Sequence, residues 1–112
     1  MVTPSTGSVV LVPFPFSDLS QSKLRPAAVL ADAGRDDWIL CQITSRSYGD
    51  SRAVELRDTD FISGGLRVIS FARPAKLFTA HKSLFVAEVG KLNDQTVKRL
   101  LAVVTQVFCK VT

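Results

Sequence analysis

Residues 7–30, "GSVVLVPFPFSDLSQSKLRPAAVL", contain two apolar segments separated by a polar one. The first, residues 7–14, is rich in β-branched and aromatic side chains and is followed by proline, which predicts a β-strand. Because Pro13 and Pro15 donate no backbone hydrogen bond, we expect the chain to leave the sheet there. The polar, turn-forming residues at 17–22 predict a loop. The short apolar run at 26–31 predicts a buried second strand.

The following residues repeat this pattern of short strands and polar turns. Evenly spaced short strands favour a mainly β protein, either a small barrel or a sandwich, over alternating strands and helices. The 112 residues suit one domain, residues 1–112. The further predicted elements are a hairpin connection at 32–37, a third strand at 38–44, a polar loop at 45–51, a fourth strand at 52–56, an extended segment at 66–80 interrupted at Pro74, and a strand at 83–92.

The C-terminal segment has the pattern of an amphipathic helix. Asn93 is a favourable N-cap, and Asp94 stabilises the positive end of a helix. Apolar residues then recur at steps of three and four, which predicts one apolar stripe packed on the barrel. The stripe consists of Val97, Leu100, Leu101, Val104, Val107 and Phe108.

Composition limits the classes of function. A net charge of +4 and a pI near 9.4 are compatible with a polyanionic partner, and equally with a charge that only maintains solubility. The sequence has no apolar run of about 20 residues and no secretory signal, so we expect a cytoplasmic protein without membrane contact. Cys41 and Cys109 are expected to be buried thiols, and with one histidine neither a metal site nor metal dependence is expected.

Two positions carry the chemistry that would suit a phosphate. Arg25 stands where the polar loop meets the second strand, with Lys23 beside it, and a guanidinium presents paired donors to phosphate oxygens. The alternative is a solvated arginine whose stem packs on the barrel. Thr44, Ser45 and Arg46 end the third strand, where hydroxyls bind phosphate or, more commonly, cap turns.

The loop after the third strand and the single histidine offer weaker signals. Tyr48 can stack on a base while Arg46 and Arg52 meet phosphates, although an exposed turn built on Gly49 explains the same residues. An imidazole is a common general acid or base, but no Ser-His-Asp set can be assembled around His81. A structural role is therefore favoured for His81.

Three stretches resemble the MazF/PemK toxin family. These are residues 7–30, "ITS" at 43–45 and "GGLRVISFARPAKLFT" at 64–79, so the similarity extends from about residue 7 to the terminal helix. The resemblance implies an SH3-like β-barrel with a C-terminal helix, a homodimer, and the toxin half of a type II toxin–antitoxin pair. It also implies a cognate antitoxin, DNA binding by the toxin–antitoxin complex, and cofactor-free, metal-independent cleavage of single-stranded RNA.

The resemblance also suggests roles for individual residues. Arg25 and Thr44 match the catalytic pair, which would stabilise the phosphate while the neighbouring 2′-hydroxyl attacks it. Ser8 and Thr79 stand where family members carry acids, which suggests a subgroup. Two alternatives remain: a non-catalytic toxin of the same barrel that acts on a protein such as gyrase, and an inactive RNA-binding homologue. The expected substrate-binding residues are Lys23, Ser45, Arg46, Tyr48 and Lys76.

Overall fold

The computed structural model describes residues 2–14, 23–47 and 49–109. Within them the chain forms seven strands, two short 3-10 helices and one α-helix. The strands and the α-helix are β1 (Ser8–Phe14), β2 (Lys23–Gly34), β3 (Asp37–Thr44), β4 (Val54–Leu56), β5 (Phe61–Gly64), β6 (Ser70–His81), β7 (Ala87–Leu92) and α1 (Asp94–Phe108).

The strands form one antiparallel sheet that curls into a half-barrel. Their spatial order is β4-β6-β3-β2-β1-β7-β5. Because successive side chains alternate between the two faces of a strand, each central strand contributes to two apolar clusters. The expectation of a mainly β, barrel-like fold with a C-terminal helix is confirmed.

One cluster lies between the sheet and α1, and the other lies on the opposite face. Leu100 of α1, which is 1% exposed, packs into the first cluster. Phe14 and Phe78 meet edge to face in the second, with ring centroids 4.8 Å apart. The buried members are Val9, Ala28, Leu30, Cys41, Ile43, Val54, Leu56, Ala72, Leu92 and Leu100 for the first, and Val10, Val12, Phe14, Ala27, Val29, Leu40, Ala80 and Phe85 for the second.

Pro13 and Pro74 do not interrupt their strands as the sequence suggested, and Pro15 and the predicted polar loop at 17–22 lie outside the described residues. Pro13 lies inside β1, opposite Leu24, so the expectation that the chain leaves the sheet at Pro13 is wrong. The register between β1 and β7 extends only to Leu11, and Pro13 therefore lies where β1 pairs with β2 alone. Pro74 lies inside β6 at a shift of register against β3, so the missing donor falls where regular pairing is already broken.

Several strand limits also differ from the predicted ones. β2 and β3 are longer than expected, because their hairpin turns on only Arg35 and Asp36, both with positive φ. β4 is shorter than the predicted fourth strand. β5 was not predicted at all; it pairs with the final strand at the sheet edge.

The C-terminal helix begins where the sequence predicts. The Asn93 side chain accepts a hydrogen bond from the backbone N–H of Thr96 at 2.8 Å. None of the helices in the described part of the chain is long and apolar enough to span a membrane. Both cysteines are free thiols, but only Cys41 is buried, and the expectation of burial is wrong for Cys109 at the exposed end of α1.

Candidate functional site

Arg25 and Thr44 lie in one row across the middle of the sheet. The last residues that pair between β2 and β3 at this end are Ala27 and Gln42, and Arg25 and Thr44 each lie two residues beyond them, on the same faces of their strands. On the outer sides of this pair, Val12 of β1 lies opposite Arg25, and Phe71 of β6 lies opposite Thr44. Residues opposite each other on antiparallel strands point to the same face. The sheet therefore brings the two side chains to one face.

The two side chains differ in exposure. The Arg25 residue is half-buried, whereas Thr44 is only 6% exposed. The Thr44 hydroxyl oxygen accepts a hydrogen bond from the backbone N–H of Arg46 at 3.3 Å. Because a hydroxyl has one hydrogen and two lone pairs, this contact leaves the hydrogen of Thr44 able to donate. The row thus combines a permanent cation with a buried hydroxyl that can donate a hydrogen bond.

The other predicted binding residues surround this row to different extents. Lys23 is exposed at the start of β2, and Ser45 and Arg46 are exposed immediately after Thr44. Lys76 is exposed in β6, within the stretch between Ala72 and Leu77 where the register against β3 shifts. Tyr48 lies outside the described residues. The structure therefore gathers Lys23, Ser45 and Arg46 near the ends of the two central strands.

His81 lies far from the row along the sheet. It is opposite Asp37, at the other end of β3 from Thr44, and seven residues of extended strand span roughly 23 Å. Its Nδ1 accepts from the backbone N–H of Ser83 at 3.1 Å and lies 2.9 Å from the Ser83 hydroxyl. These contacts cap the 3-10 helix at Lys82–Leu84. The histidine thus has a local structural role.

Sequence reasoning missed an ion pair beside the row. Asp50, in the loop between β3 and β4, lies 3.4 Å from Nε of Arg73 on β6, and the two side chains are 10% and 20% exposed. The other oxygen of Asp50 accepts from the backbone N–H of Arg52 at 2.9 Å. That hydrogen bond, aided by Arg73, holds the pKa of Asp50 below its ordinary value despite partial burial. Because the partners are 23 residues apart, no local pattern indicated the pair.

A second concave surface lies away from the row. A cleft of about 620 Å³ between β4 and α1 is lined by neither Arg25 nor Thr44. Two of its arginines are already paired: Arg57 contacts Glu55 at 2.8 Å, and Arg99 contacts Asp60 at 3.4 Å. Internal pairing reduces the attraction of this cleft for an external phosphate.

Comparison with known families identifies the class of protein. Residues 5–108 match the family described as PemK-like, MazF-like toxin of type II toxin–antitoxin systems. The chain therefore belongs to this toxin family, as the sequence resemblance indicated. Among curated proteins, none matches the chain in sequence.

Solved structures share the fold at low sequence identity. The MazE–MazF complex of Deinococcus radiodurans has a TM-score of 0.76 at 19% identity, covering 99% of this chain and 100% of the other. The toxin MazF-mt6 of Mycobacterium tuberculosis has a TM-score of 0.70 at 16% identity, covering 90% and 95%. A mycobacterial endoribonuclease in complex with its cognate antitoxin has a TM-score of 0.71 at 12% identity, covering 96% and 95%.

Proposed function

We propose that this toxin is an endoribonuclease that cleaves single-stranded RNA without a metal ion. The observation that supports this most directly is the row in which Arg25 and Thr44 share one face of the sheet. A similar mycobacterial structure is of a protein named endoribonuclease, which agrees with the proposal. Single strands suit such a site because unpaired bases can be splayed out and the phosphate can adopt in-line geometry.

The proposed reaction uses a nucleophile that the substrate itself carries. The oxygen of the ribose 2′-hydroxyl attacks the adjacent phosphorus and its proton passes to solvent. The bond from phosphorus to the 5′-oxygen breaks and that oxygen takes a proton from solvent, which leaves a 2′,3′-cyclic phosphate and a 5′-hydroxyl. The phosphate gains negative charge in the transition state, and fixed donors directed at that charge lower the barrier. Arg25 supplies two parallel N–H donors, and Thr44 supplies its hydroxyl hydrogen. Since a guanidinium is not deprotonated in proteins, Arg25 acts as a cation rather than as a base.

The central experiment incubates the purified protein with a pool of single-stranded RNA in EDTA. We expect cleavage with cyclic phosphate ends. Arg25→Ala should lower kcat by at least about a hundredfold. Arg67→Ala, which removes an exposed arginine from the loop between β5 and β6, is the matched control and should cleave like the wild type. Both variants should retain the wild-type circular dichroism spectrum.

The alternatives give different outcomes in the same assay. Intact RNA together with inhibition of gyrase supercoiling would replace the proposal with a non-catalytic toxin. RNA that is bound but never cut would indicate an inactive homologue. Full activity in Arg25→Ala would contradict the proposed role of that arginine.

We further propose that a cognate antitoxin inhibits this activity and that the active form is a homodimer. Two of the similar structures contain an antitoxin with the toxin, which supports the first part. An acidic or amphipathic antitoxin segment that folds on binding would suit the net charge of +4. Sedimentation of the purified toxin tests the dimer, and loss of RNA cleavage on adding the antitoxin tests the inhibition.

A further inference from the structure

The loop between β3 and β4, of which residues 45–47 and 49–53 are described, directly contacts the hydroxyl of Thr44. The loop begins at Ser45, and the next residue, Arg46, donates its backbone N–H to the Thr44 oxygen at 3.3 Å. That contact occupies one acceptor position of the oxygen and therefore excludes the hydroxyl hydrogen from that side. A displacement of the loop would release the hydroxyl to rotate about its C–O bond. The direction in which Thr44 donates thus depends on the position of the loop.

Asp50 holds this loop through contacts within it. Its backbone N–H donates to the carbonyl of Ser47 at 3.0 Å, and its carbonyl accepts from the N–H of Ala53 at 3.1 Å. Its carboxylate accepts from the N–H of Arg52 at 2.9 Å. Asp50 therefore forms hydrogen bonds with loop residues that precede it and with loop residues that follow it.

The Asp50 carboxylate also joins the loop to the sheet. Its second oxygen lies 3.4 Å from Nε of Arg73 on β6. Arg73 is two residues from Phe71, the residue opposite Thr44 on the neighbouring strand. With exposures of only 10% and 20%, the pair is screened less by water and salt than a surface pair. The loop thus contacts the sheet at two points. Its start contacts Thr44 at the end of β3, and its middle contacts Arg73 on the neighbouring strand β6.

We infer that Asp50 and Arg73 are positioning residues, which hold the loop so that the Thr44 hydroxyl donates toward a phosphate oxygen of the substrate. This inference rests on the proposed ribonuclease function for its chemical consequence. Its structural part, the order imposed on the loop, is independent of that function. The two parts require separate measurements.

The structural part is tested by nitrogen-15 relaxation of the loop amides. Asp50→Asn removes the charge but retains a side-chain oxygen for the Arg52 N–H, and Arg73→Gln removes the partner. Arg99→Gln is the control, since it removes an arginine at the same 3.4 Å from Asp60, an aspartate that lies outside the loop. We expect order parameters for the Arg46 and Arg52 amides near 0.85 in the wild type and the control, and about 0.6 or less in the other two. Equal values in all four proteins would overturn the inference.

The chemical part is tested by steady-state cleavage of a single-stranded RNA. Asp50→Asn and Arg73→Gln should each lower kcat about tenfold with KM within about twofold, and the double variant should be no slower than the slower single variant. Arg73→Lys, which keeps the charge, should recover part of kcat. Unchanged kcat in both single variants, or fully additive losses in the double variant, would overturn the role. If the wild-type protein leaves RNA uncut, the proposed function fails, whereas the relaxation measurement still decides whether the pair orders the loop.

Discussion

Thr44 is buried in the sheet, and its hydroxyl is also a proposed donor to the phosphate of the substrate. Thr44→Val keeps the shape of the side chain but removes both the acceptor for the Arg46 N–H and the hydroxyl donor. If the hydroxyl stabilises the charged phosphate, kcat should fall by about a hundredfold or more. Thr44→Ser keeps the hydroxyl and should lose less than about tenfold, with the difference reflecting greater rotational freedom. Initial rates of RNA cleavage measure the activity of both variants. A valine variant as active as the serine variant would contradict this role of the hydroxyl.

At the same scale, local patterns in the sequence predict roles for Arg25 and Thr44 but not for Asp50 and Arg73, which form the ion pair in the loop after Thr44. Arg25 was indicated because a polar loop meets an apolar strand there, and Thr44 because an apolar strand ends there. Both signals are local in the chain. The contact between Asp50 and Arg73 depends on how β6 lies beside β3 and on a shift of register between them. Neither the position of β6 beside β3 nor the shift of register can be derived from the residues that flank Asp50 and Arg73 in the sequence.

For the elements, the first turn of α1 allows a quantitative prediction. Asn93→Ala removes the side-chain acceptor for the Thr96 N–H, and such cap losses cost about 1 kcal/mol of unfolding free energy. Gln95→Ala, at an exposed position in the same turn, is the control and should change stability by less than about 0.5 kcal/mol. Urea unfolding measures both. The prediction fails if the two variants are equally stable.

Some of these elements can be predicted from the residues within one short segment, and others cannot. The helix was predictable because its cap, its acidic first turn and its apolar stripe all lie within one segment. β5 was missed because residues 61–64 carry two polar or glycine positions and owe their extended form to pairing with β7. Pro13 was misjudged because its tolerance depends on which side of β1 has a neighbour. Both errors arise because the structure of these residues depends on strands distant in the chain and not on the β-propensity of the residues themselves.

For the whole molecule, the lowered pKa values of two aspartates lead us to expect a smaller free energy of unfolding in acid. Burial raises the pKa of Asp60, but hydrogen bonds from the Arg57 N–H and Thr96 and the charge of Arg99 outweigh it, so that the pKa lies below its ordinary value. The pKa of Asp50 is lowered as well. Since both carboxylates hold protons less tightly when folded, their stabilisation is present above the unfolded value of about 3.9 and is lost as pH falls through the lower folded values.

The measurement is the free energy of unfolding as a function of pH. It should decline below about pH 4, and Asp60→Asn should differ from the wild type at pH 7 but less so near pH 2. Asp58→Asn is the control, because Asp58 is an exposed acid in the same short 3-10 helix. A difference between wild type and Asp60→Asn that stays constant over the whole pH range would contradict the assignment.

The barrel-like fold itself was predictable from the sequence, whereas its strand order was not. Short strands and turns indicated a β protein, and the resemblance of residues 7–30 to the MazF/PemK family indicated which kind. The order β4-β6-β3-β2-β1-β7-β5 places β6 beside β3 and β7 beside β1, and these pairings join distant segments. Alternation of side chains within a strand limits which faces are buried but does not select the neighbouring strand.

The different surroundings of the two thiols have a practical consequence. Burial raises the pKa of Cys41 to about 12, so its sulfur stays protonated and enclosed in the folded protein. Cys109, exposed just past the end of α1, is the thiol that an alkylating dye or a nitroxide can reach. The natural sequence therefore offers a single labelling position, and a fluorophore there would report binding events at the helix terminus without any engineered cysteine.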